Sequence, residues 1–168
     1  MSLSKYLSLF LENSKSLFIT SVVLFDLIFC AALAQTCQAD QVDLRGEWGS
    51  ASFRVSVADN SKKRAMGLMH VEHLPKSFGM LFVYDIPQHV SFWMKNTLIP
   101  LDMLFFDSQG ILVNLHKDVR PHDIAPKESD AAIKFVLEIN GGIAGTYSIK
   151  KGKIMRHPSI GTSAFWLR

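Results

Sequence analysis

Residues 80–84 have the sequence Met-Leu-Phe-Val-Tyr, a continuous apolar run rich in strand-forming side chains. Runs of this length are typical of strands that are buried on both faces, so we predict a central β-strand here. Residues 132–140 form a second strong strand candidate. Gly141-Gly142 ends that strand, and a short helical turn is predicted from there through Tyr147.

Shorter patterns on either side predict the other elements. Residues 52–58 alternate apolar and polar side chains, which indicates a half-buried strand. Asp59 or Asn60 is predicted to cap a short helix that runs to about Met69. Further strands are predicted at 90–94, 103–107, 111–116 and 153–157, the middle two joined as a hairpin by 108–110. The pattern predicts a mainly β fold, a compact β-sandwich or barrel of about seven strands with one or two short helices.

The first 34 residues have the composition of a signal peptide. Lys5 and Lys15 supply positive charge, an apolar stretch covers 17–33, and Ala32 and Ala34 have the spacing that signal peptidase recognises. We therefore predict an exported protein, periplasmic or extracellular, with cleavage after Ala34.

Two alternatives remain open for this segment. Cleavage after Ala39 would also leave a small residue at the cut, and an uncleaved leader would act as a membrane anchor. Asp26 in the middle of the apolar stretch disfavours the anchor, because a carboxylate at that depth is costly in a bilayer. An uncleaved leader is the one route by which we expect the chain to contact a membrane.

The rest of the chain is predicted to form one domain. Residues 35–50 are interpreted as a lead-in segment, 51–157 as the β domain and 158–168 as a C-terminal tail. Both cysteines, Cys30 and Cys37, precede that domain, so it contains neither a disulfide nor a thiol nucleophile. The net charge of +3 comes from scattered basic residues, and no nucleic-acid partner is predicted.

Several motifs resemble the DUF192 family, a group of small, often exported prokaryotic proteins. The resemblance covers roughly residues 50–157 and implies a compact, mostly β sandwich or barrel, but it implies no activity. One departure is at 147–149, where Tyr-Ser-Ile stands in place of the family's Gly-Ile-Lys pattern, so an altered local helix is expected. The motifs lie at 64–69, 79–84, 92–102, 136–142 and 148–153, and the most specific is FWMKNT-x-x-PLD at 92–102.

The 92–102 motif is also the best candidate for a site. Large apolar side chains are followed at once by hydrogen-bonding ones, a mixture that is common in concave binding sites. The competing interpretation is structural, since Asn and Thr favour turns and an Asp can bond to amides of its own loop. The predicted ligand-binding residues are Arg64, Trp93, Lys95, Asn96, Thr97 and Asp102.

Three functions are consistent with these patterns. We favour a non-catalytic cell-envelope domain that binds a small polar or anionic molecule near this motif. The second is a protein-interaction or envelope-stress module acting through 118–130 and the Phe165-Trp166 tail. The third is a hydrolase using Asp102, which is disfavoured because the sequence contains no nucleophile motif.

No catalytic residue, cofactor or metal site is predicted. Methionines are enriched between 66 and 103 and could bind Cu(I), but each lies in an apolar run where packing accounts for it. Asp85, Asp102, Asp107 and Glu138 could include an acid–base pair, but Glu138 lies in a strand whose alternate face is apolar, so we expect its side chain to point outward.

Overall fold

The structure is a computed structural model, and it describes residues 38–47 and 49–163. Neither α-helix in that part of the chain is long and apolar enough to cross a membrane. The predicted signal peptide lies outside the described residues. The described elements are β1 (Gln41–Gly46), β2 (Gly49–Ala58), α1 (Ser61–Met66), β3 (Phe78–Gln88), β4 (Ser91–Phe92), β5 (Leu101–Phe106), β6 (Leu112–Val119), β7 (Lys127–Glu128), β8 (Ile133–Asn140), α2 (Ile143–Thr146), β9 (Ile154–Arg156) and a 3₁₀ segment (Pro158–Ser163).

Seven of these strands form one sheet in the order β6-β5-β8-β3-β2-β1-β9, and β4 pairs with β7 separately. The pairing is antiparallel throughout the large sheet except between β2 and β3. The sheet curls into a half-barrel, and a bridge between Ile111 and Ile154 joins its two outer edges. The amide of Leu112 donates to the carbonyl of Lys153 there at 2.8 Å. The predicted mainly β fold with about seven strands and two short helices is confirmed.

Two hydrophobic clusters occupy the two faces of this sheet. In β8, Leu137 and Ile139 belong to the first cluster and Val136 to the second, as the alternation of side chains along a strand requires. The first cluster also contains Ile143 of α2, whereas the second lies beneath α1, β4 and the loops that follow them. Complete burial of a Leu or Ile side chain stabilises a fold by about 1.5–3 kcal/mol, so these clusters provide a core without any disulfide.

The domain begins earlier than the sequence predicted. Residues 41–46, interpreted as part of a lead-in, form β1, which pairs with both β2 and β9. His157 also ties this segment to the end of the domain, because its Nε2 lies 3.0 Å from the carbonyl of Ala39 and its Nδ1 accepts from the amide of Ser159. These two bonds require a neutral ring with its proton on Nε2. Burial lowers the pKa of His157, which favours that neutral form.

Side-chain hydrogen bonds and a glycine fix the ends of α1 and the turn between β5 and β6 near the positions that the sequence predicted. The Asn60 side chain accepts from the amide of Lys63 and caps α1, and Gly67, with φ 51°, ends the helix before Met69. Between β5 and β6, the Asp107 carboxyl group accepts two backbone N–H bonds within the predicted turn.

Residues 147–149, which depart from the family pattern, follow directly after α2. Ser148 adopts a left-handed conformation with φ 51°, a position where glycine is usual, and Ile149 behind it is buried. The short helix forms nonetheless, because the amide of Ile149 donates to the carbonyl of Ala144 at 2.8 Å.

Candidate functional site

A cavity of about 350 Å³ lies against the face of the large sheet that carries the second hydrophobic cluster. Its floor comes from β3 and β8, one wall from the end of α1 and the following loop, and the opposite wall from β4 and the segment after it. This volume is in the range of sites that hold small molecules. The lining consists of residues 64–69, Phe82, Tyr84, Ser91, Phe92, Trp93, Thr97 and Glu138.

Glu138 is the most unusual of these side chains. It lies in β8 between Met80 of β3 and Met103 of β5, and it is only 4% exposed. No residue in the described part of the chain forms a hydrogen bond or an ion pair with its carboxyl group. Burial among apolar neighbours raises the pKa of Glu138 to about 8, because desolvation disfavours the charged form. At neutral pH the cavity floor therefore holds a neutral carboxylic acid, which can both donate and accept.

Arg64 supplies the positive charge of the cavity. Its Nη1 donates to the carbonyl of Val83 at 2.9 Å, and its guanidinium carbon lies 5.0 Å from the centroid of the Tyr84 ring. The remaining guanidinium N–H groups have no further hydrogen-bond partner among the described residues. The pKa of Tyr84 is raised, first by burial and then by Glu138, while Arg64 opposes the shift. Arg64 is thus held by two contacts and still has donors for a ligand.

Aromatic side chains form the walls. The rings of Phe82 and Phe92 meet edge to face, with centroids 4.9 Å apart, and Phe92 makes a similar contact with Phe105. Trp93 is 52% exposed, although it follows directly after the partly buried Phe92. An exposed indole that also lines a cavity is placed to contact a bound molecule at the mouth.

The structure brings together three of the six predicted site residues. Arg64, Trp93 and Thr97 line the cavity, and Thr97 is buried. Lys95 is not part of the lining, but its Nζ lies 5.3 Å from the centroid of the Trp93 ring.

Asn96 and Asp102 lie outside the lining too, and each has a visible structural role. Asn96 has φ 56° in a turn closed by the bond from the amide of Thr97 to the carbonyl of Met94, and its own carbonyl accepts from the amide of His70. Such a left-handed position suits Asn better than most residues. The turn therefore joins the loop after α1 to the loop after β4, and both loops border the cavity.

Asp102 is fully buried on the opposite face of the sheet. Its carboxyl oxygens accept from the amides of Asp118, Gly142 and Ala144, at 2.7, 3.2 and 2.6 Å. These bonds attach β6 and the start of α2 to β5. The role is structural, but the donors belong to these other segments and not to the loop of Asp102 itself. The hydrolase alternative has no accessible acid at this position.

Sequence reasoning missed Glu138 because it predicted a solvent-facing side chain. That expectation was wrong, since α1, β4 and their loops cover this face of the sheet and leave only the cavity beside the carboxyl group. A signal was present: within 135–139 the acidic residue is the one polar side chain of an otherwise apolar run, and acidic residues are seldom buried without a partner.

The methionines divide between the cavity and the core. Met66 and Met69 line the cavity, whereas Met94 and Met103 are fully buried in the second hydrophobic cluster and Met80 packs against it. Within residues 38–47 and 49–163, no group of three or more His, Cys, Asp or Glu side chains is arranged to hold a metal ion.

Comparison with known proteins agrees with the fold. The model of the family DUF192, described as "Uncharacterized ACR", matches residues 42–157. A protein of unknown function from Novosphingobium aromaticivorans DSM 12444 is 34% identical with a TM-score of 0.69, over 74% of this chain and 89% of that one. A Sinorhizobium meliloti 1021 protein, described as a "putative transcription regulator", is 30% identical with a TM-score of 0.70, over 74% of this chain and 97% of that one. No curated protein matches the chain.

Proposed function

The chain belongs to the DUF192 family, and we propose that it is a non-catalytic domain of the cell envelope that binds a small polar or anionic molecule in the cavity beside Glu138. One observation carries the proposal: a buried carboxyl group that has no partner among the described residues faces a cavity that an arginine also lines. Leaving such a group without a partner costs stability, and a site for a ligand is a common reason for that cost.

The charge of the cavity supports the choice of ligand. With Glu138 protonated, Arg64 is the one charged side chain among the described residues of the lining. The lining is therefore positive near neutral pH, and a guanidinium group is well suited to bind a carboxylate or a phosphate. The aromatic walls add contact area for the rest of the molecule.

The same lining favours binding over catalysis. Glu138 is its single carboxylic acid among the described residues, and neither His nor Cys is present. Hydrolysis of a glycoside by the common mechanisms uses two acidic groups, and hydrolysis of an ester uses a nucleophile that an adjacent base activates. Assignment to the cell envelope rests on the signal-peptide pattern of residues 1–34.

A thermal-shift comparison tests the binding proposal. The purified full chain would be heated with a panel of carboxylates, phosphate esters and sulfonates of 8 to 15 heavy atoms, together with the neutral amides of the same carboxylates. We expect at least one anion to raise the Tm of the wild type and to lose that effect in Arg64→Gln. Arg54→Gln is the matched control, because Arg54 is exposed on β2 and does not line the cavity.

Two results would count against the proposal. If no compound stabilises the wild type, the cavity has no affinity for this class of molecule. If Arg64→Gln and Arg54→Gln respond alike to the anions, binding takes place elsewhere on the surface.

A further inference from the structure

Three of the elements that meet at the cavity each contribute one titratable side chain to its described lining. Arg64 comes from α1, Tyr84 from β3 and Glu138 from β8. The described residues that β4 and its following segment add to the lining carry no charge, namely Ser91, Phe92, Trp93 and Thr97. Among the described residues of the lining, these three groups can recognise a charged ligand, and Lys95 lies just outside it against the Trp93 ring.

Arg64 and Glu138 lie at different positions along β3, because the Arg64 guanidinium donates to the carbonyl of Val83 and lies over the Tyr84 ring, whereas Glu138 pairs in register with Met80. Tyr84 is influenced by both groups, whereas burial accounts for the raised pKa of Glu138 without a contribution from Arg64. A cation close to the carboxyl group would favour its charged form and lower that pKa. Val83 and Met80 are three positions apart on β3, roughly 10 Å at the usual rise of a strand, so the acid and the guanidinium group act as two separate polar contacts.

Resting on the proposed function, we infer that the cavity binds flat carboxylates with a hydrogen-bond acceptor at the opposite end, and binds them only while Glu138 holds its proton. Arg64 pairs with the ligand carboxylate, and the phenyl and indole rings contact the flat body. The Glu138 hydroxyl donates to the acceptor at the far end. Loss of that proton removes the donor and places a second negative charge in the same cavity as the anion.

This mechanism sets the direction of the pH dependence. Glu138 is protonated below about pH 8, so ligand affinity is constant there and falls above it by up to tenfold per pH unit. Arg64 stays charged over this range. Tyr84, whose pKa is raised above its ordinary value of 10.0, stays neutral.

Calorimetry with three probes tests the inference on the full chain at pH 6.5 and 9.5. Isonicotinate has a carboxylate and an opposite ring nitrogen, benzoate lacks the nitrogen, and benzamidine carries a positive charge instead. For the wild type we expect isonicotinate to bind at least threefold more tightly than benzoate at pH 6.5, and at least tenfold more weakly at pH 9.5 than at pH 6.5. Benzamidine should not bind at pH 6.5.

Two variants separate the contribution of Glu138 to ligand affinity from that of Arg64. Glu138→Gln keeps a donor at every pH, so its affinity for isonicotinate should be the same at both values. Arg64→Gln should weaken isonicotinate and benzoate at both values, whereas Arg54→Gln should match the wild type.

The outcomes separate this inference from the proposed function. Equal wild-type affinity for isonicotinate at the two pH values, or tighter binding of benzamidine than of isonicotinate at pH 6.5, would overturn the inference. Failure of isonicotinate to bind, while a phosphate or sulfonate stabilises the wild type through Arg64, also overturns it and leaves the proposed function standing. If no anion in either experiment binds, both fail.

Discussion

Asp102 and Glu138 are two buried acids on neighbouring strands, and they have opposite surroundings. Asp102 pairs in register with Ile139, and Met103 pairs with Glu138, so the acids lie one residue apart in register and on opposite faces of the sheet. They are 0% and 4% exposed. Three amides donate to Asp102, whereas no described residue donates to Glu138. Burial by itself therefore does not distinguish an acid that is part of a hydrogen-bonded turn from one that faces a cavity without donors, but the supply of donors does.

The difference follows from what covers each face. Beside Asp102, the turn into α2 presents N–H groups that would otherwise lack partners at the start of a helix. Beside Glu138, the neighbours are methionine, phenylalanine and the cavity. The first acid completes the fold, and the second is stable there mainly in its neutral form.

The largest expected effect is the removal of the structural acid. Asp102→Ala leaves three backbone N–H groups without an acceptor, at about 1–3 kcal/mol each. We expect the free energy of unfolding, measured with urea, to fall by about 4 kcal/mol. Asp85→Ala, at an exposed position of β3, should change it by less than about 0.5 kcal/mol. An Asp102→Ala variant as stable as Asp85→Ala would show that the three amides find other partners.

The next prediction is a gain of stability when Glu138, on the floor of the cavity, is replaced. The folded state keeps the Glu138 proton up to about pH 8, whereas the unfolded chain releases it near 4.5, so wild-type stability falls as the pH rises between these values. Glu138→Gln has no proton to lose. It should raise the free energy of unfolding by about 4 kcal/mol at pH 8.5 and change it little at pH 4.5. Urea titrations at both pH values check this, and a stability difference that does not vary with pH would contradict the assigned burial.

The smallest expected effect concerns the turn that presents donors to Asp102. Gly142 has φ 82°, a conformation that costs any residue with a Cβ about 1 kcal/mol. Gly142→Ala should therefore lower the free energy of unfolding by about that amount. Gly145→Ala is the matched control, because it lies within α2 in open space and should be neutral or stabilising by a few tenths. Equal effects of the two changes in thermal unfolding would mean that the backbone at Gly142 is not strained.

Much of the fold could be predicted from short stretches of sequence. The apolar runs at 80–84 and 132–140 are the central strands β3 and β8, and Asn60 caps α1 as expected. These features depend on residues within a few positions of one another. β1 and β7 were not predicted. β7 has only two residues and pairs with the distant β4, and β1, which pairs with β2 directly after it, was interpreted as part of a lead-in segment.

The candidate site could be predicted only in part. Arg64, Trp93 and Thr97 line the cavity, but the motif that suggested them also contains Lys95, Asn96 and Asp102, which do not. Consecutive residues in a strand or turn point in different directions, so closeness in sequence does not place side chains in one cavity.

The sequence by itself determined the central strands, the cap of α1 and the turn between β5 and β6, because apolar periodicity and the bonds of Asn60 and Asp107 act over a few positions. Only the tertiary structure decided that Asp102 has hydrogen-bond donors among the described residues and that Glu138 has none. The amides that donate to Asp102 lie 16 to 42 positions away, and the groups that surround Glu138 come from α1, β3, β4 and β5. The state of a buried charge depends on the donors and the dielectric around it, and these are set by segments that meet only when the chain is folded.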